Sequence, residues 1–199
     1  VKCLVTDISY LDPFEGIRFR GYTIPEVLEK LPKPPGAEIP YVEGFIYLLL
    51  TGDIPTKKEV KEVMHEMVSR RNVPDYVYKV LDDLAECHPM VMFSAAVVSM
   101  EKESIFTPKY KKMEIGKMDL WDPTYEDSLN LLAKLPRIGA YIYRKKYKNG
   151  DIIPGDPKLD WGGNFARMMG IGKPYDDLAR LYFILHSDHE SGNVSAHTG

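Results

Sequence analysis

Cysteine is nearly missing from this sequence: two in 199 residues, Cys3 and Cys87. They lie far apart and lack the spacing of a metal site. That excludes a disulfide framework and a thiolate zinc site, and leaves two reduced thiols in a reducing compartment. A surplus of positive charge is missing too. Lysine and arginine number 26 against 29 aspartate and glutamate, for a net charge of −3. No broad basic field is available, so nucleic acid is not an expected partner. The longest apolar runs, Phe45–Leu50 and Val91–Met100, are too short to cross a bilayer, and no membrane partner is expected. Gly170-Ile171-Gly172-Lys173 lacks the strand and spacing of a phosphate loop. There is no internal repeat, low-complexity tract, secretory core or Arg-rich transit segment. The sequence opens on Val1 and stops at Gly199 inside a polar stretch, with no helix stop signal. It therefore reads as a chain from which a leader was removed or as a piece of something longer.

What is present is an ordinary globular composition, 44% hydrophobic and 28% charged, long enough for a real core. Val1–Ser9 reads as a short strand, Asp12–Gly16 as a turn, and Ile17–Tyr22 as a half-exposed strand with alternating apolar and basic residues. The two strands make a β-hairpin, with Arg18 and Arg20 on one solvent-facing side. Helices follow. Thr23 caps Pro25–Leu31 and Thr56 caps Lys57–Arg71. Val42–Leu50 is strongly apolar and stops at Thr51-Gly52. Pro74 opens a helix whose stripe is Val77, Val80, Leu81 and Leu84. Pro89–Met100, rich in small and apolar residues, reads as a buried central helix. Lys102–Trp121 reads as a loop with a short helix. The Tyr125–Tyr147 helix carries an apolar stripe that no charge interrupts, with Pro136 as a kink site. Asp160 caps Trp161–Met169, and Pro174 opens a last helix running to about His186. The fold class is mostly α with one small sheet.

The densest polar stretch is the last: His186, Asp188, His189, Glu190, Asn193, Ser195 and His197 within fourteen residues. The apolar run Leu178–Leu185 leads into it and delivers polar groups towards an interior or cleft. Imidazole and carboxylate are costly to bury without partners. His186 and His189, three apart, share a face if the helix continues. A three-histidine metal site with His197 is one reading, although helical metal pairs are more often four apart. Core histidines bonded to carbonyls are a second, and a polar small-molecule site is the third. His65 reads as exposed, His88 as a turn residue, and Lys109–Lys112 as a solvated loop. Asp12, Asp160 and Asp188 form no convincing acid pair.

The run from His186 to Thr198, His-Ser-Asp-His-Glu-Ser-Gly-Asn-Val-Ser-Ala-His-Thr, resembles the central motif of citrate synthase of the eukaryotic, mitochondrial type. Leu11–Tyr22, Pro40–Pro55, His88-Pro89-Met90, Tyr125-Glu126-Asp127, Ala133–Pro136 and Lys158–Trp161 resemble that family in the same order. The resemblance covers essentially the whole chain. One departure is Ser191, where the family commonly has a second glycine.

The resemblance implies a multi-helical, citrate synthase-like large domain with a small N-terminal β-hairpin, residues 1–199 being the N-terminal half of that domain. It implies condensation of acetyl-CoA with oxaloacetate and water to citrate and CoA, by a homodimer. No cofactor is held permanently, acetyl-CoA being a co-substrate, and no metal is expected. The family's catalytic residues fall beyond Gly199, so the 199-residue piece alone is expected to be inactive. His189 matches the oxaloacetate-binding histidine and Asn193 a neighbouring pocket position. Ser195 and His197 match positions behind the pocket wall. Lys117 falls near a basic residue that reaches the CoA 3′-phosphate. The family type implies the mitochondrial matrix, or the cytoplasm for a bacterial source. Alternatives are a 2-methylcitrate synthase using propionyl-CoA and a non-catalytic structural subunit.

Overall fold

The structure, a computed structural model, describes residues 7–190. Cys3, Asn193, Ser195, His197 and most of the Val1–Ser9 strand lie outside the described residues. The chain gathers into two compact units. The first holds the residues up to Met64, Lys158–Gly163 and those from Gly172 onward, and the second holds His65–Pro157 and Asn164–Ile171.

The first unit opens with the anticipated hairpin, extended by a third strand into a three-stranded antiparallel sheet: β1 (Ser9–Asp12), β2 (Gly16–Phe19) and β3 (Tyr22–Thr23), in that order. Ser9 pairs with Phe19 and Asp12 with Gly16. The β1–β2 turn forms because the Asp12 carboxylate accepts the Phe14 and Glu15 amides at 2.8 and 2.9 Å. Those two bonds, Glu15 first, hold the Asp12 pKa below its usual value. Arg20 sits between β2 and β3 at φ 49° and Gly21 at φ 87°, so the chain turns again and adds the third strand. Arg20 does not point to solvent. Its guanidinium donates to the Leu49 carbonyl at 2.9 and 2.7 Å, satisfying a helix-end acceptor.

Thr23 and Glu26 form a reciprocal capping box for α1 (Ile24–Lys30). α2 (Val42–Thr51) ends where Gly52 takes φ 86°. Thr56 and Glu59 cap α3 (Lys57–Arg70) in the same reciprocal way. The core of this unit is Phe19, Val27, Leu31, Phe45, Leu48 and Ile184. Phe19 meets Phe45 edge-on, with centroids 4.9 Å apart.

The second unit is built from α4 (Asp75–Asp83), α5 (Pro89–Ser99), α6 (Phe106–Lys111) and α7 (Trp121–Tyr147), with a 3-10 turn at Met100–Glu103. Its core is Val73, Val77, Leu81, Met92, Ala96, Met100, Ile138 and Ile142. α5 is not buried all round. Met92, Ala96 and Met100 face the core, while Met90, Val91 and Val98 are 61%, 51% and 73% exposed. The α7 stripe is also not free of charge, since Lys134 and Arg144 are buried. Arg144 is held by Asp151 through a 2.8 Å ion pair and by the Asp151 carbonyl. Burial lowers the Lys134 pKa. α7 continues through Pro136. α8 (Trp161–Met169) begins in the first unit and ends in the second, and α9 (Tyr175–Leu185) follows a cis Lys173–Pro174 peptide. Among the described residues no helix is long and apolar enough to cross a membrane.

Candidate substrate-binding site

α9 ends at Leu185, and His186 is its C-cap. His186 and His189 therefore do not share a helical face. The His186 ring stacks on Tyr182 with centroids 4.0 Å apart, and its Nδ1 lies 2.9 Å from the Tyr182 carbonyl. Ser187 Oγ donates to the Ile184 carbonyl at 2.8 Å. Asp188 is half-buried, with an Oδ2 atom that is enclosed and lacks a partner. His189 projects from this loop and is exposed. Glu190, at φ 49°, donates its amide to Ser9 Oγ at 2.5 Å. The loop is thus tied to α9 at one end and to the first residue of β1 at the other, and His189 is presented between the two ties.

The expectation that Leu178–Leu185 is a buried run is not met. Leu178 and Tyr182 are 57% and 56% exposed, and only Ala179, Arg180 and Ile184 are buried. The buried position 180 carries a charge, and that charge organises the site's support. Arg180 Nε and Nη2 donate to the two Asp160 carboxylate oxygens, both at 2.9 Å, with both side chains 4% exposed. Its Nη1 donates to Asp177 at 2.9 Å, and Asp176 is 3.5 Å away. Burial works to lower the Arg180 pKa, but the hydrogen bond and charge of Asp160, the hydrogen bond of Asp177 and the charge of Asp176 prevail and raise it. Asp177 also accepts the Glu38 and Ile39 amides at 3.2 and 3.3 Å. Burial opposes ionisation of Asp177, and these amides with Arg180 lower its pKa nonetheless.

Asp160 does cap α8, accepting the Gly163 amide at 3.2 Å. The sequence did not disclose that it also pairs with Arg180. A signal was available in Gly162-Gly163. A Cβ on Gly162 would lie 2.6 Å from Arg180 Cγ, and one on Gly163 would lie 2.8 Å from Asp160 Oδ1. Two adjacent glycines inside a helix mark a close approach.

Glu43 completes the group. It is 1% exposed, and its Oε1 accepts the Trp161 amide at 2.6 Å. Its Oε2 is enclosed without a partner. Burial first, and then the Asp160 charge, push its pKa up to about 7. Lys117 belongs to the second unit, where it is exposed in the segment after α6. Among the described residues no cluster of His, Cys, Asp and Glu could hold a metal ion.

The first unit thus joins α8 to α9 through a buried arginine–aspartate pair and carries a short histidine-bearing loop at the end of α9, and comparison identifies the family. A family model described as citrate synthase, C-terminal domain, matches residues 1–199. Mitochondrial citrate synthase of Citrus maxima is 50% identical over 98% of this chain and 42% of its own length. That of Saccharomyces cerevisiae is 48% identical over the whole chain and 42% of its own length. The crystal structure of citrate synthase from Pyrobaculum aerophilum superposes with a TM-score of 0.78 at 28% identity, over 96% of this chain and 46% of that one. A ternary complex of Thermoplasma acidophilum citrate synthase with carboxymethyl coenzyme A and oxaloacetate shares the fold, with a TM-score of 0.76 at 21% identity, over 99% of this chain and 48% of that one. The chain belongs to the citrate synthase family. It spans about two fifths of the length of the curated relatives it matches.

Proposed function

We propose that the full-length protein is a citrate synthase, condensing acetyl-CoA with oxaloacetate and water to give citrate and CoA. The observation that carries this is the near-half identity, across the whole chain, with mitochondrial enzymes of that name. In this reading residues 1–199 are the N-terminal half of the large helical domain. Their contribution is binding and positioning, and the groups that move protons lie beyond Gly199. His189 donates a hydrogen bond to oxaloacetate, a bond strengthened by the anion's charge. Asn193 lines the same pocket, with Ser195 and His197 behind it; these three lie outside the described residues. The tied loop supports the role of His189, because a donor held in place spends little freedom on binding. Lys117 reaches towards the CoA phosphate, a role its exposure permits. Acetyl-CoA is consumed as a co-substrate.

A homodimer belongs to the same proposal. Met90, Val91 and Val98 are exposed apolar side chains on one side of α5, and exposed apolar side chains grouped on one helix face suit a second copy. The relatives' mitochondrial names support the matrix as location, with the cytoplasm for a bacterial source.

The test is thiol release by the full-length protein given oxaloacetate with acetyl-CoA or propionyl-CoA. The expected result is a kcat/KM about tenfold or more higher for acetyl-CoA, the discrimination one methylene ordinarily allows. Preference for propionyl-CoA would make it a 2-methylcitrate synthase. No oxaloacetate-dependent release with either would leave the structural-subunit reading.

A further inference from the structure

We propose that Glu43 is a positioning residue: as a neutral carboxylic acid it joins α2 to the first turn of α8, and so keeps Asp160 committed to Arg180 and α9 set to present the His189 loop. This rests on the reading that His189 binds oxaloacetate.

The geometry is the ground for it. Glu43 is enclosed, bonded through Oε1 to the Trp161 amide and unpartnered at Oε2. Asp160 is the next residue along from Trp161, and both its oxygens are already engaged by Arg180. The groups around Glu43 are Tyr41 on its own chain segment, Asp160 at the head of α8, and Arg180 on α9. Arg180 is shared further with Asp177 and Asp176. One guanidinium thus already faces three carboxylates. A fourth negative charge, enclosed and with one oxygen unsatisfied, would compete for Arg180 and weaken the clasp between α8 and α9. A proton on Oε2 removes that competition and turns an orphan acceptor into a hydroxyl.

Glu43 has an ordinary value of 4.5 and a folded value of about 7. A raised folded value means that the folded state holds the proton longer than the unfolded chain. The associated stability is whole below about 4.5 and is lost as pH rises through about 7. The amide of E43Q mimics the neutral acid and cannot ionise.

The experiment compares wild-type and E43Q full-length protein in melting temperature and in oxaloacetate KM and kcat, from about pH 5.5 to about pH 8.5. The expected result is a wild-type melting temperature that falls relative to E43Q as pH rises, the gap widening up to about pH 7 and levelling off above it. Wild-type KM for oxaloacetate should rise several-fold more steeply than that of E43Q, with kcat moving little. Parallel melting profiles would overturn the neutral acid. Diverging melting profiles with identical KM profiles would overturn the positioning role. Substrate binding that fails equally in both proteins at every pH, with diverging melting profiles, would overturn the role of His189 and the positioning claim that rests on it, leaving Glu43 a stability group.

Discussion

Both units have apolar cores, and they differ in what stands beside them. Around α4, α5 and α7 the enclosed residues form an aliphatic staircase, Val77, Leu81, Met92, Ala96 and Ile138, all fully buried. Beside the core of the first unit stands a charged group, Glu43, Asp160 and Arg180, each 5% exposed or less. An apolar staircase gains by removing area from water and tolerates substitutions of similar volume. A buried ionic group gains little net energy but fails sharply when one member is removed, because the others stay enclosed without partners. The unit that carries the histidine loop is the one built on the less forgiving device. That fits a role in which orientation matters more than total stability.

Five substitutions sharpen this contrast, measured by chemical unfolding of the full-length protein. R180A, which strands Asp160 and Asp177, should cost about 3–5 kcal/mol. L81A in the staircase should cost about 2–5 kcal/mol, and L81M far less. A well-tolerated R180A beside a damaging L81M would invert the comparison. G162A drives a Cβ into the Arg180 stem and should cost about 1–3 kcal/mol, less if that stem shifts. K58A removes an exposed pair with Glu62 at 3.7 Å and should change nothing measurable.

The staircase was legible in the sequence. Val77, Leu81 and the ends of α2 and α3 follow from helical spacing, Gly52 and Thr56, all local signals. The ionic group was not, since Glu43 and Trp161 are bonded across 118 positions and no periodicity links residues that far apart. Local sequence marks Asp160 as a cap and carries no sign of its pairing with Arg180. Alternation in a strand points Arg20 to solvent, whereas the chain leaves the strand at Phe19 and turns the side chain onto α2. Composition marks α5 as buried, yet its apolar residues cover more of the helix than its own unit encloses. At the site, the role proposed for His189 rests on resemblance alone. The helix end at Leu185 leaves His186 as the C-cap of α9, stacked on Tyr182.

That difference between two histidines three residues apart offers the sharpest test. Oxaloacetate binding is titrated calorimetrically on the full-length protein as wild type, H186A and H189A. The account predicts that H189A weakens binding about tenfold or more, the worth of a hydrogen bond to a charged group, while H186A stays within about twofold of wild type. Wild-type affinity in H189A would contradict it.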